Sequence, residues 1–564
     1  MFVKSNKNVK GSKTWYTHHI VESRRVKGKK HPTHQYLANI TALPDEMVEK
    51  IRALLRGDME ERDDAGVDIR QGDVLRGAGQ MAIRRAWKKS GIEKALQSST
   101  TKAQRDSIFA MAAARITNPG SKLSLKNRCR NTFWAREFSE NRLDEDVLYE
   151  VMDVVEENFE NIQKRLASNR KDAPTLLLYD ITSTYFEGTD AEGSAYGHSR
   201  DKRWDRYQIV IALVCDQDGR PLAVEVWPGN TSDSDTVQER IECMRSSYGI
   251  KDAIFVGDRG MYSKGNLEYI EEKRMDYIIG LEWHRKRDLL LSLSEGQQEL
   301  FVKEGVYEWQ EDGRRYVGCH SEQRQYRDRT RREAALERVE GELGRLQRTA
   351  SQGRYYSAQR LREKISELLR WHKVSELWNI SIGPMEEVED SEQKTLLNLS
   401  YSVNQLEVER RRAMDGRYVI VTTVSGRRMS AGEVIRSYKS LQKVERSFRH
   451  IKSFLKIRPV YHRLWRRIRA HVLICFLAYY LTWWMGQELQ AKGITTEVEN
   501  LLELWDHLQL SQVTVDTPGG SVTQWNWTLG EDGAKIESEI RQAGLWNSID
   551  AFKRSASKMM NSKA

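Results

Sequence analysis

Cysteine is scarce in this sequence: Cys129, Cys215, Cys243, Cys319 and Cys475 are the five in 564 residues, and no two form a C-x-x-C pair. That scarcity argues against a zinc knuckle, and it points to reduced thiols and an intracellular protein. No apolar h-region follows the first lysines, so a secretory leader is not expected. Long hydrophobic runs are lacking too. The one membrane candidate, Val472 to Met485, is shorter than the ~20 residues that span a bilayer and reads as a buried helix. No internal repeat is visible.

What is present describes a soluble protein with a sizeable core, 39% hydrophobic and 30% charged. A chain of 564 residues exceeds what one core usually serves, so two to four domains are expected. The net charge of +10 makes a polyanion the leading partner.

In chain order, Thr14 to Ile40 reads as two short strands around the turn Lys27-Gly28-Lys29-Lys30. Arg24, Arg25, Lys27, Lys29 and Lys30 cluster at its tip, as a solvated hairpin or as a phosphate clamp. A short helix follows, with Pro44 in its first turn and Gly57 at its C-cap. Asp58 to Asp73 reads as a polar linker. From Ala78 to Asn169 the periodicity is helical. This block is either a scaffold or a DNA-binding domain with Lys122, Lys126, Arg128 and Arg130 as contacts.

The pattern then changes to strands. Thr175 to Ile181 is nearly continuous in apolar residues, as in a strand covered on both faces, yet it contains Asp180. A carboxylate there is costly unless something pairs it. Tyr207 to Cys215 and Pro221 to Trp227 complete three antiparallel strands, joined by a turn at Asp216 to Gly219. A helix from Asp235 to Tyr248, a strand Ala253 to Gly257 ending on Asp258, a helix Lys264 to Lys273 and a strand Tyr277 to Leu281 follow. Three antiparallel strands and then β-α-β is the order of a ribonuclease H-like α/β fold. A Rossmann fold would need a glycine-rich turn after the first strand, and none is there.

The sheet pattern breaks from Glu282 to Gly416. That stretch shows a hairpin over Phe301 to Cys319 and a charged helix pair over Gln323 to Lys373, broken near Gln352-Gly353. The helix pair is a solvated face or an arm over DNA. Arg417 to Thr423 returns to a strand, which is how an inserted domain reads. The expected fold is thus a ribonuclease H-like mixed five-stranded sheet interrupted by an insertion, with helical N- and C-terminal regions. Its parts are 1–75 (hairpin and helix), 76–170 (helical), 171–281 and 417–490 (the two halves of the sheet domain), 282–416 (insertion) and 491–564 (helical).

Tyr438 to Lys456 holds no Gly or Pro and reads as one helix. Leu441, Val444, Phe448, Ile451 and Leu455 form its apolar stripe; Lys439, Lys443, Arg446 and His450 lie opposite. A seven-residue step drifts only ~20°, which places Tyr438, Glu445 and Lys452 in line. Taken alone, Glu445 would be half of an (i, i+4) ion pair with Arg449. In the expected fold, however, Asp180, Asp258 and Glu445 converge at one sheet edge. Three adjacent carboxylates need cations, and oxygen-only ligands suit Mg²⁺ or Mn²⁺. Two ions about 3.5–4 Å apart would serve phosphoryl transfer.

Leu178-Tyr179-Asp180-Ile181-Thr182-Ser183-Thr184, Val256-Gly257-Asp258-Arg259-Gly260, Gly229 to Asp233, Arg458 to His462, and Tyr438-x2-Leu441-x3-Glu445-x6-Lys452 together resemble the DDE transposases of bacterial insertion sequences. The closest likeness is to the subgroup with a Tyr-x2-Arg-x3-Glu-x6-Lys box and a domain inserted before the glutamate. It covers Pro174 to Leu281 and Arg417 to Leu481. The box arginine is replaced here by Leu441, with Arg446 or Arg449 as substitutes.

The resemblance implies that Asp180, Asp258 and Glu445 hold two Mg²⁺ or Mn²⁺ ions. It implies nicking of the transposon end and attack of its 3′-hydroxyl on target DNA, with Tyr438 and Lys452 gripping the end. It also implies a homodimer on double-stranded DNA, no membrane partner, and a place in the bacterial cytoplasm at the nucleoid. Relatives often hold a flipped base on an aromatic side chain, for which Trp283 and Trp309 are the candidates. The rival functions are a metal-dependent nuclease of the same fold and a non-catalytic DNA-binding descendant.

Overall fold

The protein is described by a computed structural model covering residues 1–10, 13–24, 33–56, 68–76, 78–129, 143–169, 172–246, 248–250, 252–281, 283–292, 305–352, 357–384, 397–517, 520–529 and 533–547. It divides into two units. The first comprises Met1–Thr236, Glu242–Ile250 and Gln442–Ala564; the second comprises Val237–Ile241 and Lys251–Leu441.

The first unit opens with an antiparallel sheet of β1 (Phe2–Lys10), β2 (Lys13–Arg24) and β3 (Thr33–Asn39). Two strands were expected there. β1 escapes a sequence reading because Phe2, Val3 and Val9 are its apolar residues, too few to set a period of two. The expected short helix is Asp45–Arg56, with Pro44 just before it rather than in its first turn. A second sheet corrects two expectations. β4 (Asp68–Arg76) lies in part of the supposed linker, and it pairs with β15 (Leu508–Thr517), which pairs in turn with β16 (Gly520–Leu529). The region after Thr496 is therefore not purely helical. Arg70 on β4 donates to Asp516 on β15 at 2.7 Å. Partners so far apart in the chain leave no local signal.

Six described helices from Ala78 to Ser168 bear out the helical reading. Several of them pack on the core helix Trp465–Gln490. By length and composition that helix could cross a membrane, but 83% of its apolar window is buried inside the protein. Each buried Leu, Ile or Phe side chain contributes roughly 1.5–3 kcal/mol there. Three antiparallel strands complete the unit: β5 (Leu176–Tyr185), β6 (Gln208–Cys215) and β7 (Pro221–Pro228).

In the second unit β8 (Ile254–Gly257) runs parallel to β9 (Tyr277–Gly280), with the helix Lys264–Glu272 between them in the chain. Beyond β9 the order continues through β14 (Arg417–Thr422), β11 (Arg314–His320) and β10 (Val306–Glu311), all antiparallel. The expected hairpin around Glu311 to Gly313 is β10 and β11. Its pairing with β14 makes it an extension of the sheet.

The charged stretch forms the helices Glu322–Ser351 and Ala358–His372, separated where expected. A hairpin of β12 (Trp378–Pro384) and β13 (Leu397–Val403) joins them around Val339, Leu343, Leu361, Ile365 and Leu399. The buried pair Arg332–Asp415, at 2.5 Å, ties the long helix to the residue just beyond the helix Gln405–Met414.

The expected single helix over Tyr438 to Lys456 is two. A tyrosine helix (Ala431–Lys439) ends at Ser440, and a glutamate helix (Leu441–Ser453) begins after it. Ser440 Oγ donates back to the Arg436 carbonyl at 3.0 Å, while its N–H is shared between the carbonyls of Arg436 and Ser437. Such back-bonding competes with the helical ladder, and shared N–H groups are common at helix ends. Collinearity of Tyr438 with Glu445 therefore does not follow from one helix.

Candidate active site

In the first unit, β5 alternates its side chains, so Asp180, Thr182 and Thr184 share a face. Asp180 Oδ1 accepts from the Ile181 N–H at 2.8 Å. Two residues on, Thr182 Oγ1 accepts from Lys452 Nζ at 2.7 Å. The same ammonium pairs with Asp201 at 2.7 Å, and Arg458 joins Asp201 from the other side. The Lys452 and Asp201 side chains are 12% and 7% exposed. Burial pulls the Lys452 pKa down, and Asp201 opposes that pull. Asp201 and Arg458 thus clamp the box lysine beside the strand that carries Asp180. Nothing in the local sequence around Asp201 singled it out, whereas Arg458 lies in a motif already noted.

On the glutamate helix Leu441, Val444, Phe448 and Ile451 are buried as read; the helix ends at Ser453, short of the expected Lys456, and Leu455 is buried just beyond its end. Glu445 is exposed and forms no ion pair among the described residues, so the ordinary pair with Arg449 is not made. Arg446 and Arg449 are exposed and line a groove of about 420 Å³ with Phe454, Trp483 and Glu499. Lys443 and His450 do not face solvent freely. Lys443 Nζ donates to the Gln217 carbonyl in the β6–β7 turn, and His450 pairs with Glu499.

In the second unit Asp258 follows β8 directly. It is exposed, and although it stands at the N-cap of a short 3-10 turn its side chain makes no capping bond. Instead its Oδ1 accepts from Tyr438 Oη at 3.1 Å. Burial, and then the Asp258 charge, raise the Tyr438 pKa, which keeps the phenol protonated as the donor. A Cβ at Gly280 on β9 would collide with the Tyr438 hydroxyl, so glycine there gives the tyrosine its path to Asp258. The signal for the tyrosine helix was in the sequence. Ser430 and Glu433 form a capping box that fixes its start.

The other candidates divide. Lys122 is 5% exposed and donates toward His471 Nδ1 at 3.4 Å. Lys126 pairs with Asp144 at 2.9 Å. Arg128 caps the turn, donating to Ser121 O at 2.7 Å and Ser124 Oγ at 3.0 Å. Lys126 and Arg128 bond within the helical block and Lys122 is buried against the core helix, which favours the scaffold reading; Arg130 lies outside the described residues. Arg25, Lys27, Lys29 and Lys30 also lie outside them, as does the side chain of Arg24 at the end of β2. Trp309 is half-buried and stacks on Tyr316 at 5.6 Å and Tyr307 at 5.8 Å. Trp283 begins the helix Trp283–Ser292, and its side chain lies outside the described residues. Among the described residues, no three His, Cys, Asp or Glu stand close enough to hold a metal ion.

Comparison with known proteins gives the class of this chain. Residues 171–481, more than half of the chain, match the family described as Transposase DDE domain, and the chain belongs to that family. Among solved structures it is similar to a piggyBac transposase synaptic complex with hairpin DNA, determined by cryo-EM. That similarity has 8% identity and a TM-score of 0.37, and covers 72% of this chain and 71% of that one. No curated protein matches the chain.

Proposed function

We propose that this protein is the transposase of a bacterial insertion sequence, of the subgroup with the Tyr-Arg-Glu-Lys box. It binds the inverted-repeat ends of its element, cleaves them and joins them to target DNA, acting in the cytoplasm as a homodimer on the DNA. The observation that carries this reading is the family match across 171–481, which spans Asp180, Asp258 and Glu445 in the order the chemistry needs. A ribonuclease H-like arrangement is supported by three antiparallel strands followed by a parallel β-α-β pair.

The three candidate carboxylates form no metal-holding group among the described residues, and their support for a hard divalent cation is their donor chemistry. Glu445 and Asp258 form no ion pair among the described residues, and all three candidate ligands offer oxygen alone. Asp180, Asp258 and Glu445 would hold two Mg²⁺ or Mn²⁺ ions, which when bound supply charge stabilisation for attacking and leaving oxygens in phosphoryl transfer.

The chain's own groups do the rest. Tyr438 orients Asp258 through its hydroxyl. Lys452, held by Asp201, presents a fixed cation to the DNA end beside Asp180. Arg446 and Arg449, exposed on the glutamate helix, bind backbone phosphates in place of the arginine lost at Leu441.

Purified protein, incubated with Mg²⁺ and labelled DNA carrying the inverted repeats that flank its gene, should nick at the repeat ends and yield joined products. Cleavage without joining would mean a nuclease. Binding without cleavage would mean a non-catalytic descendant.

A further inference from the structure

Within the second unit a cavity of about 530 Å³ opens beside Tyr438, bounded by β9, β14 and the insertion helices. Its size suits a small ligand, for which roughly 300–1,000 Å³ is usual, but such sites are mostly apolar. This one is lined by Arg259, Arg324, Arg331, Arg332, Lys373 and Arg411, against the carboxylates of Asp328 and Asp415.

The carboxylates are committed. Asp415 binds Arg332 with both oxygens, at 2.5 and 2.6 Å, and Asp328 accepts the Gly416 N–H at 3.1 Å. Arg411 pairs with Glu376 at 3.7 Å. Among the described residues no carboxylate lies within ion-pair distance of Arg259, Arg331 or Lys373. Arg324, 3.9 Å from Asp328, also lies over the Tyr418 ring at 5.3 Å. The Tyr418 ring in turn stacks on Tyr438 at 6.2 Å.

A structural ion-pair network would balance its charges. Here the pairs that hold the helices are complete, and three further cations converge on a concavity with no counter-ion among the described residues. A surface of that kind raises the local concentration of anions, and guanidinium groups match the oxygens of phosphate. We propose that this cavity is a phosphate-binding site of the insertion that takes backbone phosphates of a DNA strand. Arg331 and Lys373 are its principal ligands, and the stacked Tyr418 and Tyr438 connect its wall to Asp258. The site does not depend on the cleavage reading, since it requires a phosphate ligand and not a reaction.

Arg331 and Lys373 are both exposed, so the double variant R331Q/K373Q should melt as the wild type does. Full-length protein and variant are titrated with a short single-stranded oligonucleotide and, separately, with inorganic pyrophosphate. The site predicts at least tenfold weaker oligonucleotide binding by the variant. It also predicts a salt dependence shallower by roughly 1.4 in log–log slope if two phosphate contacts are lost. Loss confined to pyrophosphate would identify a free phosphate compound as the ligand in place of a strand. Unchanged affinity for both probes, or no binding of either by the wild type, overturns the proposal. End cleavage measured on the same variant separates the two questions, because the carboxylates are untouched.

Discussion

Lys122 shows how far a residue can depart from its reading in the sequence. In a helical block of a basic protein it looks like a phosphate contact, yet it is enclosed by Arg115, Arg128, His471 and Cys475. The bond from His471 Nε2 to the Ile457 carbonyl, at 3.0 Å, leaves Nδ1 to accept from the lysine. Burial and then Arg115 lower the Lys122 pKa from 10.5 to about 7. Between those two values the unfolded chain holds a proton that the folded chain refuses, so stability rises with pH across the window. The penalty is fully present below pH 7. Lys122→Met should therefore melt higher than the wild type at pH 6, with the advantage fading toward pH 10. Thermal unfolding at several pH values checks this; an advantage that does not vary with pH would mean that Lys122 is paired as a charge. Sequence shows that a lysine is present, but it cannot show the core helix that closes over it.

At the scale of elements, the glutamate helix was largely legible. Four apolar positions predicted its buried stripe and all four are buried, as is Leu455 just past its end. Its start was misplaced because serine rather than glycine or proline ends the preceding helix. Its two lysines have different environments: Lys452 is clamped by Asp201 next to β5, while Lys443 holds the carbonyl of Gln217 in the β6–β7 turn. Lys452→Ala should slow cleavage of bound ends by roughly ten- to a thousandfold, the scale for losing one electrostatic stabiliser. Lys443→Ala should leave that rate unchanged and lower stability by about 1 kcal/mol, as for one lost hydrogen bond. Single-turnover cleavage of preassembled complexes compares the two. Equal loss from both would mean that the clamp at Asp201 has no catalytic consequence.

For the whole molecule, sequence disclosed the elements whose signals are local. β5 to β9 stand out as apolar runs bounded by turns, and the three box residues keep a fixed spacing. What it hid depends on distant partners. β4 gains strand identity by pairing with β15 more than four hundred residues later, and Asp201 gains its role when Lys452 and Arg458 reach it. The cationic cavity, too, draws residues from Arg259 to Tyr438. The central claim is that Asp180, Asp258 and Glu445 act as one metal-dependent site on transposon ends. Its most direct test is single-turnover cleavage of bound, labelled ends in Mg²⁺ by D180N, D258N and E445Q, with end binding measured in parallel. The account predicts that each variant binds ends at least as well as the wild type and loses cleavage by a thousandfold or more, on the scale of removing a principal electrostatic stabiliser. A folded variant of any one of the three that still cleaves at near wild-type rate would contradict it.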